Sequence, residues 1–347
     1  MAINLASKYS TKMAESFTQH SITDAAFSKD YDFVGVETVR VYTPVTVDLV
    51  DYTRSGINRY GLPTELQDTY QEMRVTQDKA FSVTIDKGNN ESQNNIKEAG
   101  KMLKLQLQEK VVPYVDKYRL SVWTNMAGTV AGITKPTKDT IVDEISYGAA
   151  VLDDAKVPVS GRFLFITSEM YNLIRTSSQW LGIESLGEKA LAKGIVGTFD
   201  NMKVVKVPSS LMPNGVYFMI VHKSAAVSPV KIKDSIIHKD PPGLSGSLLE
   251  FRILFDAFVL GTRNMGIYVA CSSSAVQAAP TFSLSGSSLT ITSSGGTIKY
   301  TTDGSDPKTS NTAQTYSSAV NVTGVKVVKA YASASGKYNS SVTTYTL

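Results

Sequence analysis

Residues 33–50 read FVGVETVRVYTPVTVDLV, and residues 72–86 read EMRVTQDKAFSVTID. Val, Thr and Tyr dominate both segments with partial alternation, which predicts two long β-strands. Between them lies DYTRSGINRYGLPTELQDTYQ, in which Gly56, Gly61 and Pro63 interrupt regular structure. A connector of this length is unusual in a compact domain, so the pattern favours a surface excursion over a simple hairpin.

After this strand pair, the period of the apolar residues changes from two to about 3.6. Between Asn90 and Met126 the apolar positions are Ile96, Ala99, Leu103, Leu107, Val111, Tyr114, Tyr118 and Val122. Steps of three and four place them on one face of a long helix. Pro113 removes a backbone donor, so we expect the helix to kink there or to restart with Pro113 in its first turn. A helix of this length suggests a flat or elongated molecule.

The residues up to 270 indicate a mixed α+β domain with antiparallel strands. Thr167 or Ser168 is expected to cap a helix that continues to Arg175. Pro213-Asn-Gly and Pro241-Pro-Gly are expected to form turns between strands. Helices are predicted at 138–155 and 168–175, and strands at 163–166, 202–210, 216–227, 229–239 and 247–270.

Composition limits the classes of function. The 347 residues are 42% apolar and 19% charged, as expected for a folded chain with room for two domains. The net charge of +4 is not concentrated in basic runs, which argues against sequence-specific DNA binding. A single cysteine excludes an intramolecular disulfide. No secretory signal is visible, and the longest apolar runs are too short to cross a bilayer.

The two ends of the chain differ from its middle. Residues 1–32 carry Leu5, Tyr9, Met13 and Phe17 at a spacing of four, which fits either an arm that orders against a neighbour or a frayed terminus. Residues 271–279 read as a short polar linker. Residues 280–347 are rich in Ser, Thr, Gly and Tyr, with closely spaced strand segments that predict a small β-sandwich.

The sequence contains little that suggests catalysis. His20, His222, His238 and Cys271 lack metal-ligand spacing, and nucleophile-elbow and phosphate-loop motifs are missing, so no catalytic, metal or cofactor-binding residues are assigned. We therefore expect a protein that is not an enzyme and has no cofactor.

A glycoside hydrolase is the enzymatic alternative, with Asp143 and Glu144 or Asp153 and Asp154 as its carboxylates. Adjacent helical residues do not face one another, so these pairs are better explained as solvated helix surface. A carbohydrate-binding surface protein is a second alternative. It would use a stacking surface made of Tyr300, Tyr316, Tyr331, Tyr338 and Tyr345.

The order of segments over residues 30–270 resembles the major capsid proteins of tailed bacteriophages. The segments that carry the resemblance are the strand pair, VVPYVDKYRLSVW at 111–123, RFLFITSEMYNLI, VVKVPSSLMP, IVHKSAAV and EFRILFDAFVLGTRNMGIYV. The resemblance implies an extended loop at 33–90, a spine helix at 91–126 and an axial domain at about 155–235.

This resemblance implies an icosahedral shell subunit that assembles with many copies of itself, as hexamers and pentamers, in the cytoplasm of a bacterial host. A scaffolding protein, a portal, decoration proteins and packaged double-stranded DNA are the further partners it implies. Relatives often begin with a charged scaffolding helix, which this chain lacks, so scaffolding is expected to be separate or absent. Arg54, Arg59 and Glu65 in the connector are candidate pairing charges between subunits. A cellular nanocompartment shell of the same fold is the structural alternative.

The C-terminal segment resembles the immunoglobulin-like domain of chitobiases and other bacterial surface glycosidases. The resemblance rests on YTTDGSDP at Tyr300–Pro307 and KAYASASGKYNSS at Lys329–Ser341. Asp303 and Gly304 are expected to close a tight turn after a strand, and Asp306 and Pro307 to start the next loop. On a capsid, this implies a domain that faces outward and could contact host surfaces or glycans.

Overall fold

The structure is a computed structural model that describes residues 20–31, 38–44, 49–61, 68–92, 98–177 and 195–347. The helices are α1 (Lys87–Ser92), α2 (Ala99–Gln106), α3 (Val112–Met126), α4 (Ile141–Asp154) and α5 (Ser168–Thr176), with a π-helical turn at Leu107–Val111 and a 3-10 helix at Gly261–Gly266. The first strands are β1 (Thr38–Pro44), β2 (Asp68–Arg74), β3 (Gln77–Asp86), β4 (Thr129–Ile133), β5 (Arg162–Thr167), β6 (Ile195–Phe199) and β7 (Met202–Val207). They are followed by β8 (Val216–His222), β9 (Ala226–Val227), β10 (Val230–Lys239), β11 (Gly246–Phe255), β12 (Phe258–Val259) and β13 (Ile267–Ser272).

A six-stranded mixed sheet in the order β4-β13-β8-β5-β7-β6 is the centre of the large domain. Successive residues of β5 point to opposite faces, so Phe163 and Phe165 join one apolar core, while Leu164 and Ile166 join the other. The first core includes Trp123 of α3, and the second includes the buried faces of α4 and α5. Burial on both faces explains why this strand is a continuous apolar run.

The helices predicted at 138–155 and 168–175 are confirmed as α4 and α5. The Thr167 hydroxyl accepts a hydrogen bond from the backbone N–H of Met170 at 3.4 Å, as predicted for the N-cap. Gly148 of α4 lies directly over Tyr268 of the sheet, and a Cβ added there would come within 2.8 Å of the ring. The absence of a side chain at this position therefore sets how closely α4 approaches the sheet.

The predicted long helix is helical from Ala99 to Met126, with one change in its hydrogen bonding. Pro113 lies in the first turn of α3, which confirms the predicted restart. Pro113 has no N–H to donate to the preceding turn. Directly before it, the Val112 N–H donates to the Leu107 carbonyl, five residues earlier, in a π-type hydrogen bond. The predicted start at residue 91 is wrong, because Glu98 is extended and α2 begins only at Ala99. Residues 93–97 lie outside the described ranges.

The apolar face of this helix packs on a second, three-stranded sheet in the order β10-β11-β3. Leu103 and Val115 contact the buried side of β11 in a separate apolar cluster. Phe81 and Phe251 stack across β3 and β11, with their ring centroids 5.3 Å apart. The helix and this sheet therefore form an elongated second layer beside the central sheet.

The C-terminal segment forms two sheets, β14-β15-β18 and β17-β16-β19-β20, around one apolar core. Its strands are β14 (Thr281–Ser285), β15 (Ser288–Thr292), β16 (Thr297–Thr301), β17 (Gln314–Thr315), β18 (Val320–Asn321), β19 (Val327–Ser333) and β20 (Thr343–Thr346). This is the all-β immunoglobulin-like sandwich that the sequence predicts. The predicted linker is more ordered than expected, because Cys271 and Ser272 end strand β13 and Val276 is buried.

Candidate assembly surface

The strand pair β1 and β2 forms a two-stranded antiparallel ribbon, and no further strand of the described residues pairs with it. Arg40 and Glu72 form an ion pair across the ribbon with an N–O distance of 2.7 Å, and the rings of Tyr42 and Tyr70 lie 5.9 Å apart. An isolated two-stranded ribbon is marginally stable in water. Additional contacts are therefore expected to stabilise it.

Residues 49–61, between the two strands, expose apolar side chains to solvent. Leu49 is fully exposed, Ile57 is 93% exposed and Tyr60 is 85% exposed, and Val50 and Tyr52 are more than half exposed. The rings of Tyr52 and Tyr60 contact each other edge to face at 5.0 Å. Clustered apolar exposure of this kind marks an interaction surface. We call residues 49–61 the ribbon tip.

The base of the ribbon, in contrast, is fixed to the large domain. Met73 and Val75 are buried against Val227 and Leu260. The Gln71 amide donates to the Val259 carbonyl at 2.9 Å, and its oxygen accepts from the Gly261 N–H at 2.9 Å. The ribbon tip therefore projects from a rigid base.

A buried carboxylate, Asp256, connects the ribbon base to the long helix. It accepts hydrogen bonds from the Thr76 N–H at 2.9 Å, the Thr76 hydroxyl at 2.8 Å and the Tyr118 hydroxyl at 2.7 Å. Burial and the neighbouring Asp256 charge raise the pKa of Tyr118, so its hydroxyl remains a donor. Asp256 was not predicted from the sequence, although a lone carboxylate in the mostly apolar segment FRILFDAFVL is a signal for such a role.

A second buried polar cluster fixes residues 20–28 to the same helix. Asp116 accepts from the Ser21 hydroxyl, the Thr23 hydroxyl and the Ile22 N–H at 2.5–3.0 Å. Arg119, 4% exposed, donates to Asp24 at 2.6 Å. Burial raises the pKa of Asp116, and these donors oppose that shift. The predicted N-terminal stripe Leu5 to Phe17 lies outside the described residues.

Two of the three candidate pairing charges lie in the described residues. Arg54 and Arg59 both lie in the exposed ribbon tip. The Arg59 guanidinium donates to the Gly56 carbonyl at 3.3 Å, which shapes the loop. Glu65 lies outside the described residues. Their role in pairing remains a prediction.

The carboxylates considered for a glycosidase lie on the outer face of α4. Asp153 forms an ion pair with the buried Arg162 at 2.6 Å, a structural role that anchors β5. His222 contacts the Ser160 carbonyl and the Ser224 hydroxyl through its two ring nitrogens, at 2.9 and 2.8 Å. Within the described ranges, no three His, Cys, Asp or Glu side chains converge in a way that could hold a metal ion. Among the same residues, every helix is too short or too polar to span a bilayer.

The signature turn of the C-terminal domain is held by its own side chains. Asp303 accepts from the Ser305 N–H at 2.9 Å and from the Thr312 hydroxyl at 2.6 Å, while Gly304 adopts a positive φ of 76°. Tyr300 begins this stretch in β16, and Pro307 is buried beside Asp306. The chain therefore bends at Asp303 and Gly304, directly after β16.

The tyrosines considered for sugar stacking are all at least partly buried. Tyr300, Tyr316 and Tyr345 pack against the sandwich core. Tyr331 is 7% exposed, and Tyr338 packs on the core of the large domain. The rings of Tyr300 and Tyr316 meet edge to face at 6.2 Å, and Tyr338 packs on a different core, so the five rings do not form one flat stacking surface.

Solved structures with the same architecture come from phage particles. A chain of Mycobacterium phage Che8 matches with a TM-score of 0.62 and 18% identity, over 78% of this chain and 98% of that chain. The fold is that of tailed-phage major capsid proteins. The mature capsid of bacteriophage PhiM1 matches with a TM-score of 0.57 and 10% identity, over 79% of this chain and 92% of that chain. The capsid of cyanophage P-SCSP1u matches with a TM-score of 0.61 and 11% identity, over 78% of this chain and 93% of that chain.

The capsid fold accounts for most of the chain, and a family model accounts for its end. Residues 288–347 match the Fn3 associated family, in agreement with the all-β sandwich. A comparison with curated proteins gives no significant match.

Proposed function

We propose that this chain is the shell-forming subunit of an icosahedral tailed-phage capsid, assembled in the bacterial cytoplasm and enclosing double-stranded DNA. The observation that carries the proposal is the ribbon tip: exposed Leu49, Ile57 and Tyr60 project from a rigid base on a phage capsid fold. An isolated subunit gains nothing from this exposure, whereas a neighbouring copy could bury it.

The proposed mechanism is self-association through complementary surfaces. Each ribbon tip covers a neighbouring subunit. The subunits form hexamers and pentamers, and because the shell is closed and symmetric, many weak contacts together stabilise the particle. Asp256 and the Asp116 cluster hold the ribbon base, the N-terminal segment and the long helix in one orientation. The base from which the chain runs to the ribbon tip is therefore held in place before association, which limits the entropy lost there.

Further partners follow from the same proposal. Arg54, Arg59 and Glu65 pair with charges on adjacent subunits, and basic residues on the inner face lie near packaged DNA without reading its sequence. A separate scaffolding protein, a portal and decoration proteins complete the particle. The C-terminal domain, of the chitobiase type by its YTTDGSDP turn, faces outward and contacts host surfaces or glycans. The role is structural and not enzymatic.

The test is the mass and shape of the purified full-length chain, measured by sedimentation velocity and negative-stain imaging. Shells, tubes or capsomers support the proposal. A monodisperse monomer at all concentrations, with glycosidase activity, contradicts it. Testing the purified chain for hydrolysis of chitooligosaccharides separates the two outcomes.

A further inference from the structure

The carboxyl end of α3 depends on residues of the C-terminal domain. The last carbonyls of a helix have no partner within the helix. Here the Asn339 side-chain amide donates to the Asn125 carbonyl at 3.2 Å, and the Lys308 ammonium donates to the Ala127 carbonyl at 2.6 Å. A cation at this position also complements the negative end of the helix dipole. The C-terminal domain thus supplies the helix cap that the large domain lacks.

The strand that follows α3 is covered by the same domain. β4 is an edge strand of the central sheet and pairs only with β13 among the described strands. The Ser341 hydroxyl accepts from the Val130 N–H at 2.8 Å and donates to the Val130 carbonyl at 3.0 Å. The Val342 N–H donates to the Gly128 carbonyl at 3.1 Å. Backbone groups that a free edge would expose are therefore satisfied.

A buried carboxylate aligns the capping lysine. Asp306, 6% exposed, accepts from the Asn264 amide of the large domain at 2.8 Å and from the Lys308 N–H at 3.0 Å. The Lys308 ammonium also lies 5.6 Å from the centroid of the Tyr331 ring. Burial lowers the pKa of Lys308 to about 8 and raises the pKa of Asp306. Asp306 is buried and Lys308 is half-buried where the two domains meet.

The contact is too close for a loosely tethered module. A Cβ at Gly261 of the large domain would lie 2.2 Å from the Thr309 hydroxyl of the C-terminal domain. The Tyr338 hydroxyl donates to the Asn214 carbonyl at 2.8 Å. The domain is therefore seated on the large domain in one position.

We propose that the C-terminal domain is an intramolecular brace, which caps α3 through Lys308 and seals the free edge of β4 through Ser341. Its primary role is to complete the fold of the large domain, and any outward surface it presents is additional. A sealed β4 edge also prevents edge-to-edge pairing of central sheets from two copies. This inference does not depend on shell formation, because all of its contacts lie within one chain.

Amide hydrogen exchange of the full-length chain tests the brace, with Lys308→Met and Ser341→Ala as the test variants. Lys337→Met and Ser318→Ala, both exposed in the same domain, are the matched controls. Loss of one charge-assisted hydrogen bond predicts about tenfold faster exchange at residues 120–130 in Lys308→Met. Ser341→Ala is expected to accelerate exchange at 129–133.

The proposal is overturned if residues 120–133 exchange at the wild-type rate in both test variants. It is also overturned if exchange there accelerates by the same factor in both control variants. If Lys308→Met does not fold, Ser341→Ala alone decides by the same criterion. Because the measurement is made on unassembled subunits as well as particles, failure of the brace is distinguishable from failure to assemble.

Discussion

The double substitution Leu49→Ser and Ile57→Ser should separate assembly from folding. Burying a Leu or Ile side chain contributes about 1.5–3 kcal/mol relative to leaving it exposed, so removing two at each contact costs about 3–6 kcal/mol of association free energy. That corresponds to a loss of roughly two to four orders of magnitude in the association constant. Both side chains are almost fully exposed in the subunit, so its own stability should change by less than about 0.5 kcal/mol.

The assay compares the concentration at which light scattering rises with the denaturant midpoint of the unassembled subunit. Leu284→Ser is the control, because Leu284 is an exposed apolar residue of the C-terminal domain, away from the ribbon tip. We expect assembly to shift to a much higher concentration only in the double variant, with an unchanged midpoint. Assembly at the wild-type concentration would refute the role of the ribbon tip, and so would an equal shift in Leu284→Ser.

Three further predictions concern the subunit itself. Asp256→Ala removes the acceptor of the Thr76 and Tyr118 donors and should reduce the free energy of unfolding by about 2–5 kcal/mol in denaturant titrations. An unchanged midpoint would contradict the role of Asp256 in connecting the ribbon base to the long helix. Gly148→Ala should reduce the free energy of unfolding by about 1–3 kcal/mol, because the added Cβ overpacks the core. Gly100→Ala, with open space around it, should raise the free energy of unfolding by about 0.5–1 kcal/mol, because alanine favours the helix. Equal effects of the two substitutions would contradict the packing described. Because the pKa of Lys308 falls from 10.5 to about 8 on folding, the unfolded chain binds more protons between these values, so stability attributable to this group rises with pH there. In thermal melts recorded from pH 8 to 10, the Lys308→Met variant should lack this increase of stability with pH. A pH profile identical to that of the wild-type chain would contradict the burial of the amine.

The local elements of the fold were predictable because their signals are local. The N-cap at Thr167 and the stripe of α4 follow from side-chain type and helical spacing. Continuous apolar runs such as Val216–His222 mark strands that are covered on both faces. Pro113 restarts the long helix as expected, since its missing N–H acts wherever it is placed.

The order of the strands within each sheet could not be predicted from such local patterns. The parallel pair β4 and β13 joins Thr129 to Tyr268, and no short-range pattern records a contact of such sequence separation. The π-type turn at Leu107–Val111 was also not predicted, although Pro113 lies two residues after it. Long-range pairing is fixed by the packing of whole elements, which only the structure shows.

The site was predictable in outline and not in its buried polar groups. One long strand was predicted at 72–86, whereas the structure divides these residues between β2, which begins at Asp68 and pairs with β1, and β3, which pairs with β11. Asp116, Arg119 and Asp256 were missed, because a charged residue on a predicted helix or strand usually lies in solvent. Lys308 likewise reads as a loop lysine in SDPKT, and only its position opposite the end of α3 makes it a capping group.

The central claim is that the ribbon tip is stabilised by other copies of this chain. The most direct measurement is a cryo-electron microscopy reconstruction of particles assembled from the full-length chain. The account predicts closed shells in which residues 49–61 cover an adjacent subunit and Leu49 and Ile57 are buried there. Particles whose ribbon tip is in solvent or folded onto its own subunit, or a protein that never assembles, would contradict it.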